Sequence, residues 1–235
     1  MVFCWPGQEA NARRIATSLA GHVHRLTVIG ASAAAIEHVA GCDWVKVDPA
    51  DYYGRKFQAA IARFEGDVLL QIQADASVSS WPALAARCAD SYASDPDLGM
   101  WAPDVDHTDW KTDEICLEPS EDRERLVVAQ TDCIVWSMTS RVVARMRELD
   151  YSENNLGWGI DWAAVAFCYV SGLSVVRDLA IRVDHPSYRG YSADAAEQQM
   201  RDFLLQLEDD ERARMAVLEA AIEDQRAGKR LRKGE

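Results

Sequence analysis

The chain has 235 residues, which is enough for one α/β domain of ordinary size or for a domain with an appendage. Its formal net charge of -13 at pH 7 argues against broad, non-specific binding to nucleic acid or to anionic membranes. An apolar fraction of 49% and a charged fraction of 27% are typical of globular proteins and exclude a largely disordered chain.

The hydropathy of the chain and the spacing of its cysteines indicate the cellular compartment in which the protein is found. No apolar run reaches the ~20 residues that span a bilayer, and the N-terminus lacks the basic segment and apolar run of a signal peptide. The six cysteines are scattered without a CxxC pair, which favours reduced thiols over a disulfide framework or a zinc site. The sequence therefore predicts a soluble, acidic protein of the cytoplasm without a transmembrane segment.

Short apolar runs alternate with helical patterns over the first half of the chain. The helical patterns lie near 6–21, 51–66 and 81–96. Strands that alternate with helices form parallel sheets with right-handed crossovers, so this half predicts a parallel sheet. Its predicted strands are VFCW (2–5), RLTVIGAS (25–32), WVKVDP (44–49) and DVLLQIQADAS (67–77).

The pattern changes in the second half. GMWAPDVDHTDW (99–110) and LVVAQTDCIVWSMTS (126–140) read as strands without a helical pattern between them, so we expect them to pair antiparallel at one side of the sheet. One or two further strands are predicted within 172–186, after a helix that begins near Asp161. From 192 to 227 the chain lacks proline and carries one long helical pattern, which a basic tail follows.

The first candidate functional group is Asp75, at the end of the clearest buried strand. In open α/β folds such strand ends form the edge where ligands bind. A carboxylate there can hold a divalent cation, and the cation can bridge the oxygens of a diphosphate. The alternative is a cap for the helix that starts near Trp81, although Ser79 or Ser80 is better placed to cap it. The spacing leaves both roles open.

The second candidate is Asp161, in the sequence GWGIDW. Gly157 and Gly159 permit a tight turn, and the aspartate follows at or near the start of a helix. As a helix cap it would contribute roughly 1 kcal/mol. Alternatively, Trp158 and Trp162 would desolvate the carboxylate, raise its proton affinity and make it a base, or Trp158 could stack on a sugar ring. These residues by themselves leave the alternatives open.

The third candidate is His185, which follows an apolar strand and precedes Pro186. A lone histidine is more often structural than a ligand, but Arg189 and Tyr191 add a cation and an aromatic ring nearby, as in a phosphate- or sugar-binding loop. Several common motifs are absent from the sequence: GxGxxG after a strand, GxxxxGK(S/T), GxSxG and HExxH. Their absence excludes dehydrogenases, P-loop enzymes, serine hydrolases and zinc peptidases.

The order of these pieces resembles GT-A glycosyltransferases, most nearly family 2. The matching pieces are an apolar strand ending in Ala-Asp, a Gly-Trp-Gly-x-Asp that opens a helix, and a strand ending in Asp-His. The resemblance implies an α/β, Rossmann-like fold with a mostly parallel central sheet and flanking helices over residues 1–191. It implies a nucleotide-sugar-binding half at 1–100, an acceptor and catalytic half at 101–191, and a C-terminal helical extension with a basic tail at 192–235.

The resemblance also implies a metal-dependent, inverting glycosyltransferase that uses Mn²⁺ or Mg²⁺. Such an enzyme moves a sugar from a nucleotide-diphosphate sugar to a hydroxyl group of a glycan or other acceptor. Asp75 matches the metal-facing second aspartate of an Asp-x-Asp motif, and His185 matches a late histidine that completes the metal shell in some members. Asp161 matches the base that deprotonates the acceptor. The residues that fall in the acceptor region are Trp158, Gly159 and Trp162.

The contacts to the nucleotide-sugar depart from the family pattern. Gln73 replaces the first aspartate of the motif, and its amide can hydrogen-bond a ribose hydroxyl. Asp48 could contact the base or the ribose, with a cap or a solvated residue as the alternative. Arg55 and Lys56 fall where family members often carry a basic residue near the nucleotide.

Two other classes of function stay open. A catalytically silent GT-A domain would bind a nucleotide or a partner; Gln73 favours this alternative, whereas the joint presence of Asp75, Asp161 and His185 opposes it. The C-terminal helix could instead form a homo-oligomer. Its apolar positions are too few for sustained heptads, so packing of that face on the domain is favoured.

Overall fold

The computed structural model describes residues 1–119, 124–186 and 190–233. Within these ranges nine strands form one sheet, and helices cover both of its faces. The strands are β1 Val2–Phe3, β2 Leu26–Gly30, β3 Cys42–Lys46, β4 Val68–Gln73, β5 Leu98–Val105, β6 Cys116–Pro119, β7 Arg125–Val128, β8 Val135–Thr139 and β9 Ser174–Val183. The helices are α1 Glu9–Leu19, α2 Tyr53–Arg63, α3 Trp81–Ser94, α4 Thr112–Ile115, α5 Ser140–Met146, α6 Ile160–Val170, α7 Ala193–Leu204 and α8 Asp209–Lys233, with a short 3-10 helix at Ala33–Ile36.

The first half of the sheet is parallel, as the alternation of strands and helices predicts. β1 pairs with β2 and with β4, and β2 pairs with β3, all in parallel. Successive side chains point to opposite faces: Val2 lies in the apolar cluster that includes α1 and α3, and Phe3 lies in the cluster that includes α2. Burial on both faces explains why β1, β2 and β4 read as nearly continuous apolar runs, whereas β3 lies at the edge of the sheet and is partly exposed.

The sheet as a whole is mixed, so the prediction of a mostly parallel sheet is wrong. The strand order is β3-β2-β1-β4-β8-β5-β9-β7-β6, with four parallel and four antiparallel pairings. The segment 126–140 is predicted as one strand at the side of the sheet, but it contributes to both β7 and β8, and β8 lies in the centre between β4 and β5. Parallel neighbours need a long crossover connection, which is usually a helix. The described residues between 116 and 139 contain no helix, and β7 and β8 pair with their neighbours in the antiparallel direction.

The C-terminal segment packs on the domain. The sequence predicts one helical pattern from 192 to 227, and the structure has two helices, α7 and α8. The first turn of α8 is fixed by Glu211, whose carboxylate accepts hydrogen bonds of 2.8 and 2.7 Å from the guanidinium of Arg145 in α5. The residues of this segment that are buried in the same apolar cluster as α2 and α6 are Phe203, Leu207, Leu218 and Ile222.

Two further sequence expectations concern the membrane and the thiols. None of the helices in the described ranges combines the length and the apolar character that crossing a bilayer requires. All six cysteines carry free thiols, as their spacing predicts. Cys4, Cys88 and Cys168 are buried, so they act as small apolar groups of the core.

The Arg145–Glu211 pair provides a test of the packing of α8. The side chains are 11% and 3% exposed, so replacing one partner leaves a buried charge without its counterion. We expect Glu211→Ala to lower the free energy of unfolding, measured by urea denaturation, by ~3 kcal/mol. The double variant Arg145→Met/Glu211→Met should recover most of that loss, because it removes both charges. An unchanged denaturation midpoint for Glu211→Ala would mean that α8 does not stabilise the fold.

Candidate active site

The candidate site lies at the edge of the sheet where β1, β4, β5 and β9 end and β8 begins. Loops from five strands therefore meet at one edge, as they do at the ligand sites of open α/β sheets. Asp75 follows β4 in a turn, and His185 follows β9. The pairings that fix this arrangement are Phe3 with Gln73, Ile72 with Val135, and Val105 with Val183.

Asp75 and His185 face each other at this edge. The Asp75 Oδ1 and His185 Nε2 atoms are 3.6 Å apart, and both are buried without a hydrogen-bond partner among the described residues. Their loops are joined by two backbone hydrogen bonds of 2.8 Å between Ser77 and Asp184. Buried polar atoms normally have partners, and carboxylate and imidazole groups are both common metal ligands. The pair is therefore suited to holding a divalent cation.

The number of protein ligands limits what kind of cation site this can be. No group of three or more His, Cys, Asp or Glu side chains within the described part of the chain could hold a metal ion. Mg²⁺ is usually bound through one or two carboxylates together with substrate phosphates and water. The Asp75–His185 pair fits a cation whose coordination a phosphate-bearing ligand completes.

The structure assigns the cap of α3 to a residue other than Asp75. The Ser80 hydroxyl accepts a hydrogen bond from the Ala83 N–H at 3.3 Å, which agrees with the expectation that Ser79 or Ser80 is better placed than Asp75 to cap this helix. His185 is anchored through its backbone, because its N–H donates to Asp106 Oδ1 at 2.9 Å. The sequence does not single out Asp106, since only the fold brings the end of β5 beside the end of β9.

Asp161 lies in the first turn of α6 but is not its N-cap. The cap position is Gly159, and the Asp161 carboxylate accepts a hydrogen bond from the Trp162 N–H at 3.0 Å. Although part of its surface stays exposed, protein atoms surround the side chain, and this desolvation raises the pKa of the carboxyl to about 7. The Trp162 N–H and the indole of Trp110 oppose the rise in pKa, and the charge of Asp132 adds to it. Such a carboxyl can accept a proton near neutral pH.

The turn before Asp161 depends on two glycines. Gly157 and Gly159 have φ angles of 84° and 86°, a region that residues with a Cβ rarely adopt. A Cβ on Gly157 would lie 2.5 Å from Tyr53 Cδ1, and a Cβ on Gly159 would lie 2.9 Å from Met200 Cγ. The turn is therefore packed between α2 and α7, which fixes the point where the Asp161 carboxylate enters α6.

A buried polar loop, residues 129–134, lies beside Asp161, and the sequence does not predict it. Asp132 in this loop is 9% exposed, and its Oδ2 atom lies 3.7 Å from Nη2 of Arg177, a buried residue of β9. The carbonyl of Cys133 accepts a hydrogen bond of 3.0 Å from Gln73 Nε2, which ties the loop to the end of β4. The loop thus links the β4 end, where Asp75 lies, to the surroundings of Asp161.

The structure brings Trp158 and Tyr191 together. Trp158 Nε1 donates to Tyr191 Oη at 2.8 Å, and both side chains are half-buried. Tyr191 also meets the ring of Tyr52 edge-on, with centroids 5.2 Å apart. Trp162 is buried against Trp110, with ring centroids 5.5 Å apart, so little of its surface is left to contact a ligand.

The residues predicted to contact the nucleotide lie in different places. Asp48 and Arg55 line an open groove of about 880 Å³ beside β3 and α2. Lys56 is buried, with Nζ 4.5 Å from the centroid of the Trp5 ring, and this burial lowers the pKa of its ammonium group to about 8. Arg189 lies outside the described residues.

The raised pKa of Asp161 has a measurable consequence for stability. A carboxyl whose pKa is higher in the folded than in the unfolded state destabilises the fold as the pH rises between the two values. We expect Asp161→Asn to raise the free energy of unfolding by up to about 4 kcal/mol above pH 7, and this gain should disappear as the pH falls toward about 4. Asp194→Asn is the matched control, because Asp194 is an exposed carboxylate in the first turn of α7. Equal stability of Asp161→Asn and the unchanged protein at every pH would contradict the raised pKa.

Comparison with known proteins identifies the fold through structure and not through sequence. No known protein-family pattern matches the sequence, and no curated protein matches it. The mannosyltransferase from Pyrobaculum calidifontis, in complex with GDP-Man and Mn²⁺, has a similar structure, with a TM-score of 0.59 and 12% identity over 87% of this chain and 61% of its own. Glucosyl-3-phosphoglycerate synthase from Mycobacterium tuberculosis, in complex with Mg²⁺ and UDP, has a TM-score of 0.58 and 15% identity over 87% of this chain and 76% of its own.

A third similar structure is that of GalNAc-T7 with UDP, GalNAc and Mn²⁺. It has a TM-score of 0.65 and 11% identity over 90% of this chain and 48% of its own. The chain therefore spans less than two thirds of the mannosyltransferase and about half of GalNAc-T7. At these identities the likeness concerns the fold. The chain has the GT-A fold of these glycosyltransferases, so the fold that its motifs predict is confirmed.

Proposed function

We propose that the protein is a metal-dependent, inverting glycosyltransferase, which moves a sugar from a nucleotide-diphosphate sugar to a hydroxyl group of a glycan or other acceptor. Two observations carry this proposal. The facing atoms of Asp75 and His185 lack hydrogen-bond partners among the described residues, and Asp161, a carboxyl with a raised pKa, lies beside the loop 129–134 that is hydrogen-bonded to the end of β4. The GT-A fold supports it, because similar structures are transferases in complex with GDP-Man or UDP and with Mn²⁺.

Asp75 and His185 would hold the cation, Mn²⁺ or Mg²⁺. Each of their facing atoms is buried without a protein hydrogen-bond partner in the described ranges, so a cation would satisfy both. When bound, the cation would supply charge neutralisation for the diphosphate leaving group. The backbone hydrogen bond from His185 to Asp106 fixes the loop that carries the imidazole.

Asp161 would act as the general base. Its carboxylate takes the proton from the acceptor hydroxyl while the hydroxyl oxygen forms a bond to the anomeric carbon. The bond from that carbon to the diphosphate oxygen breaks, and its electron pair leaves with the nucleoside diphosphate. Attack from the face opposite the leaving group inverts the anomeric configuration. A pKa of about 7 suits this role, since much of the carboxyl is ionised at neutral pH and still binds a proton well.

The proposal extends to contacts with the donor and the acceptor. Gln73, at the end of β4, would contact the ribose, and Asp48 and Arg55 would contact the nucleotide from the groove that they line. On the acceptor side, the hydrogen-bonded pair of Trp158 and Tyr191 would present partly exposed aromatic rings to a sugar.

A catalytically silent domain is the second candidate, and one observation favours it. The Gln73 amide donates a hydrogen bond to the Cys133 carbonyl, and it brings no charge to the place of the first motif aspartate.

A homo-oligomer through the C-terminal helix stays a prediction, although Leu218 and Ile222 are buried in the core of the same chain. A cytoplasmic location also stays a prediction, which the free thiols support.

Thermal unfolding with nucleoside diphosphates tests the donor site. We expect UDP or GDP to raise the melting temperature in the presence of Mn²⁺ and to have little effect without it, because a ligand bound to the folded state stabilises that state. Asp75→Ala and His185→Ala should each remove the part of the shift that depends on Mn²⁺. Asp90→Ala, which changes an exposed carboxylate on α3, is the matched control. Equal shifts with and without Mn²⁺ in every variant would contradict the cation pair.

Asp161→Asn separates binding from chemistry. We expect it to lower transfer from UDP-glucose or GDP-mannose by ~10²–10⁴-fold while the nucleotide-dependent melting shift is retained. In the unchanged enzyme kcat/KM should fall about tenfold per pH unit below pH 7, because a protonated carboxyl cannot accept the acceptor proton. Full activity of Asp161→Asn would exclude this base. Nucleotide binding without transfer to any acceptor would favour the silent domain.

A further inference from the structure

Two segments that are far apart in the chain lie against each other beside the candidate site. The first, residues 48–55, carries two residues proposed to contact the nucleotide and includes the start of α2. The second, residues 154–159, contains the turn with two glycines and leads into α6, whose second residue is Asp161. We call these segments the donor loop and the acceptor turn, after the roles proposed for their side chains.

Asn155 of the acceptor turn is hydrogen-bonded to the donor loop through both polar atoms of its side chain. Its Oδ1 accepts from the Tyr52 N–H at 2.8 Å, and its Nδ2 donates to the Ala50 carbonyl at 3.1 Å. A backbone N–H can only donate and a carbonyl can only accept, so this pair of contacts needs a side chain with both an acceptor and a donor. The contacts join positions 103 and 105 residues apart.

The backbone of Asn155 also supports the start of α2. The first N–H groups of a helix have no partner within the helix. Tyr52 occupies the N-cap position of α2, and its side chain makes no capping hydrogen bond. The Asn155 carbonyl accepts from the N–H of Gly54, in the first turn, at 2.9 Å. A residue of the acceptor turn therefore supplies a partner that the local sequence of α2 does not.

The backbones of the two segments are in direct contact. A Cβ on Gly54 would lie 1.7 Å from the Asn154 carbonyl oxygen, and a Cβ on Gly157 would lie 2.9 Å from the Gly54 nitrogen. Just before the turn, the Ser152 carbonyl accepts from Arg55 Nη2 at 2.6 Å. Such close packing leaves little room for either segment to move alone.

Asn154 holds the acceptor turn together. Its Oδ1 accepts from the Gly157 N–H at 3.0 Å, and its Nδ2 donates to the Trp158 carbonyl at 2.9 Å. The residue is 1% exposed, so water has little access to these hydrogen bonds. The turn is thus a fixed unit, and the side chain of the next residue, Asn155, connects this unit to the donor loop.

We propose that Asn155 is a positioning residue, which makes the donor loop and the acceptor turn open and close as one unit. Nucleotide binding at the donor loop then steadies the turn that presents Trp158 and leads to Asp161. Reaction requires the two reacting atoms to be held about 3–3.5 Å apart, so both substrates must be positioned together. The proposal rests on the proposed function for the roles of the two segments, whereas the contacts that join them do not depend on it.

Three variants test the coupling. Asn155→Ala removes both hydrogen bonds of the side chain. Asn155→Asp keeps an acceptor for the Tyr52 N–H but loses the donor to the Ala50 carbonyl, so its effect should be smaller. Asn11→Ala is the matched control, because Asn11 is a partly exposed asparagine of α1 whose side chain contacts neighbours in the same part of the chain.

The first measurement uses the protein without ligand. Asp51 Oδ2 accepts from the Asp48 N–H at 2.9 Å, so Asp51→Ala loosens the donor loop. The hydrogen-exchange rate of the Gly157 amide, which lies in the acceptor turn, is measured with and without this change. Amides of one cooperative unit exchange through the same opening. We expect Asp51→Ala to speed this exchange about fivefold in the unchanged protein and in Asn11→Ala, about twofold in Asn155→Asp, and not at all in Asn155→Ala.

The second measurement adds UDP or GDP together with Mn²⁺. We expect the nucleotide to slow hydrogen exchange in the donor loop of every variant, because a bound ligand stabilises the closed form. The same addition should slow exchange about threefold in the acceptor turn of the unchanged protein and of Asn11→Ala, but not in that of Asn155→Ala. A merely structural role of Asn155 would raise the exchange rates and leave the effects of Asp51→Ala and of the nucleotide the same.

The two measurements separate this proposal from the proposed function. The coupling is overturned if Asp51→Ala leaves Gly157 exchange unchanged in the unchanged protein, or speeds it equally with and without Asn155. It is also overturned if the nucleotide slows the acceptor turn of Asn155→Ala as much as that of the unchanged protein. If Asn155→Ala does not fold, the same comparisons are decided with Asn155→Asp.

A different result would count against the proposed function alone. If the effect of Asp51→Ala disappears in Asn155→Ala, but neither nucleotide alters exchange in any segment, the coupling stands and the proposed function fails. If the effect disappears and the nucleotide slows both segments of the unchanged protein, but only the donor loop of Asn155→Ala, both proposals are supported.

Discussion

The candidate site depends on the closure of β4 against β9 by two backbone hydrogen bonds between Ser77 and Asp184. The two strands are not neighbours, because β8 and β5 lie between them in the sheet. The bridge joins their ends beyond the edge of the sheet, and this brings Asp75 opposite His185. Two such bonds contribute only about 1 kcal/mol each. The bridge therefore adds little to the stability of the fold, but it sets the distance between the two loops that carry the pair.

The features that can be predicted from the sequence are those that neighbouring residues in the chain specify. Asp75 follows a buried strand, Asp161 follows a turn with two glycines, and His185 follows the last strand, so each is recognisable from its immediate neighbours. The α/β class and the parallel half of the sheet follow from the same local alternation. The mixed half does not, because the place of β8 between β4 and β5 is decided by pairing with strands that are distant in the chain.

The residues around Asp161 that escape prediction share one property: their partners are far away in sequence. Asp132 lies within an apolar segment that reads as one strand, and Arg177 lies within another strand, so neither is recognisable as a buried charge. Trp110 is the last residue of a segment, 99–110, that reads as a strand, whereas β5 ends at Val105 and Trp110 lies in the loop after it. Its contacts with Trp162 and Arg226 exist only once α6 and α8 have packed on the sheet.

The contacts of α8 also bear on the order in which the molecule forms. The bond from Arg226 to Glu114 joins positions 112 residues apart, and the bond from Arg145 to Glu211 joins positions 66 residues apart. Contacts at such separations form late, because a long loop must close before they stabilise the chain. During synthesis α8 leaves the ribosome after every strand of the sheet. The strand ends that carry the proposed cation pair are therefore made before the helix that completes the apolar core, and the core stays open on the side of α8 until the end of synthesis.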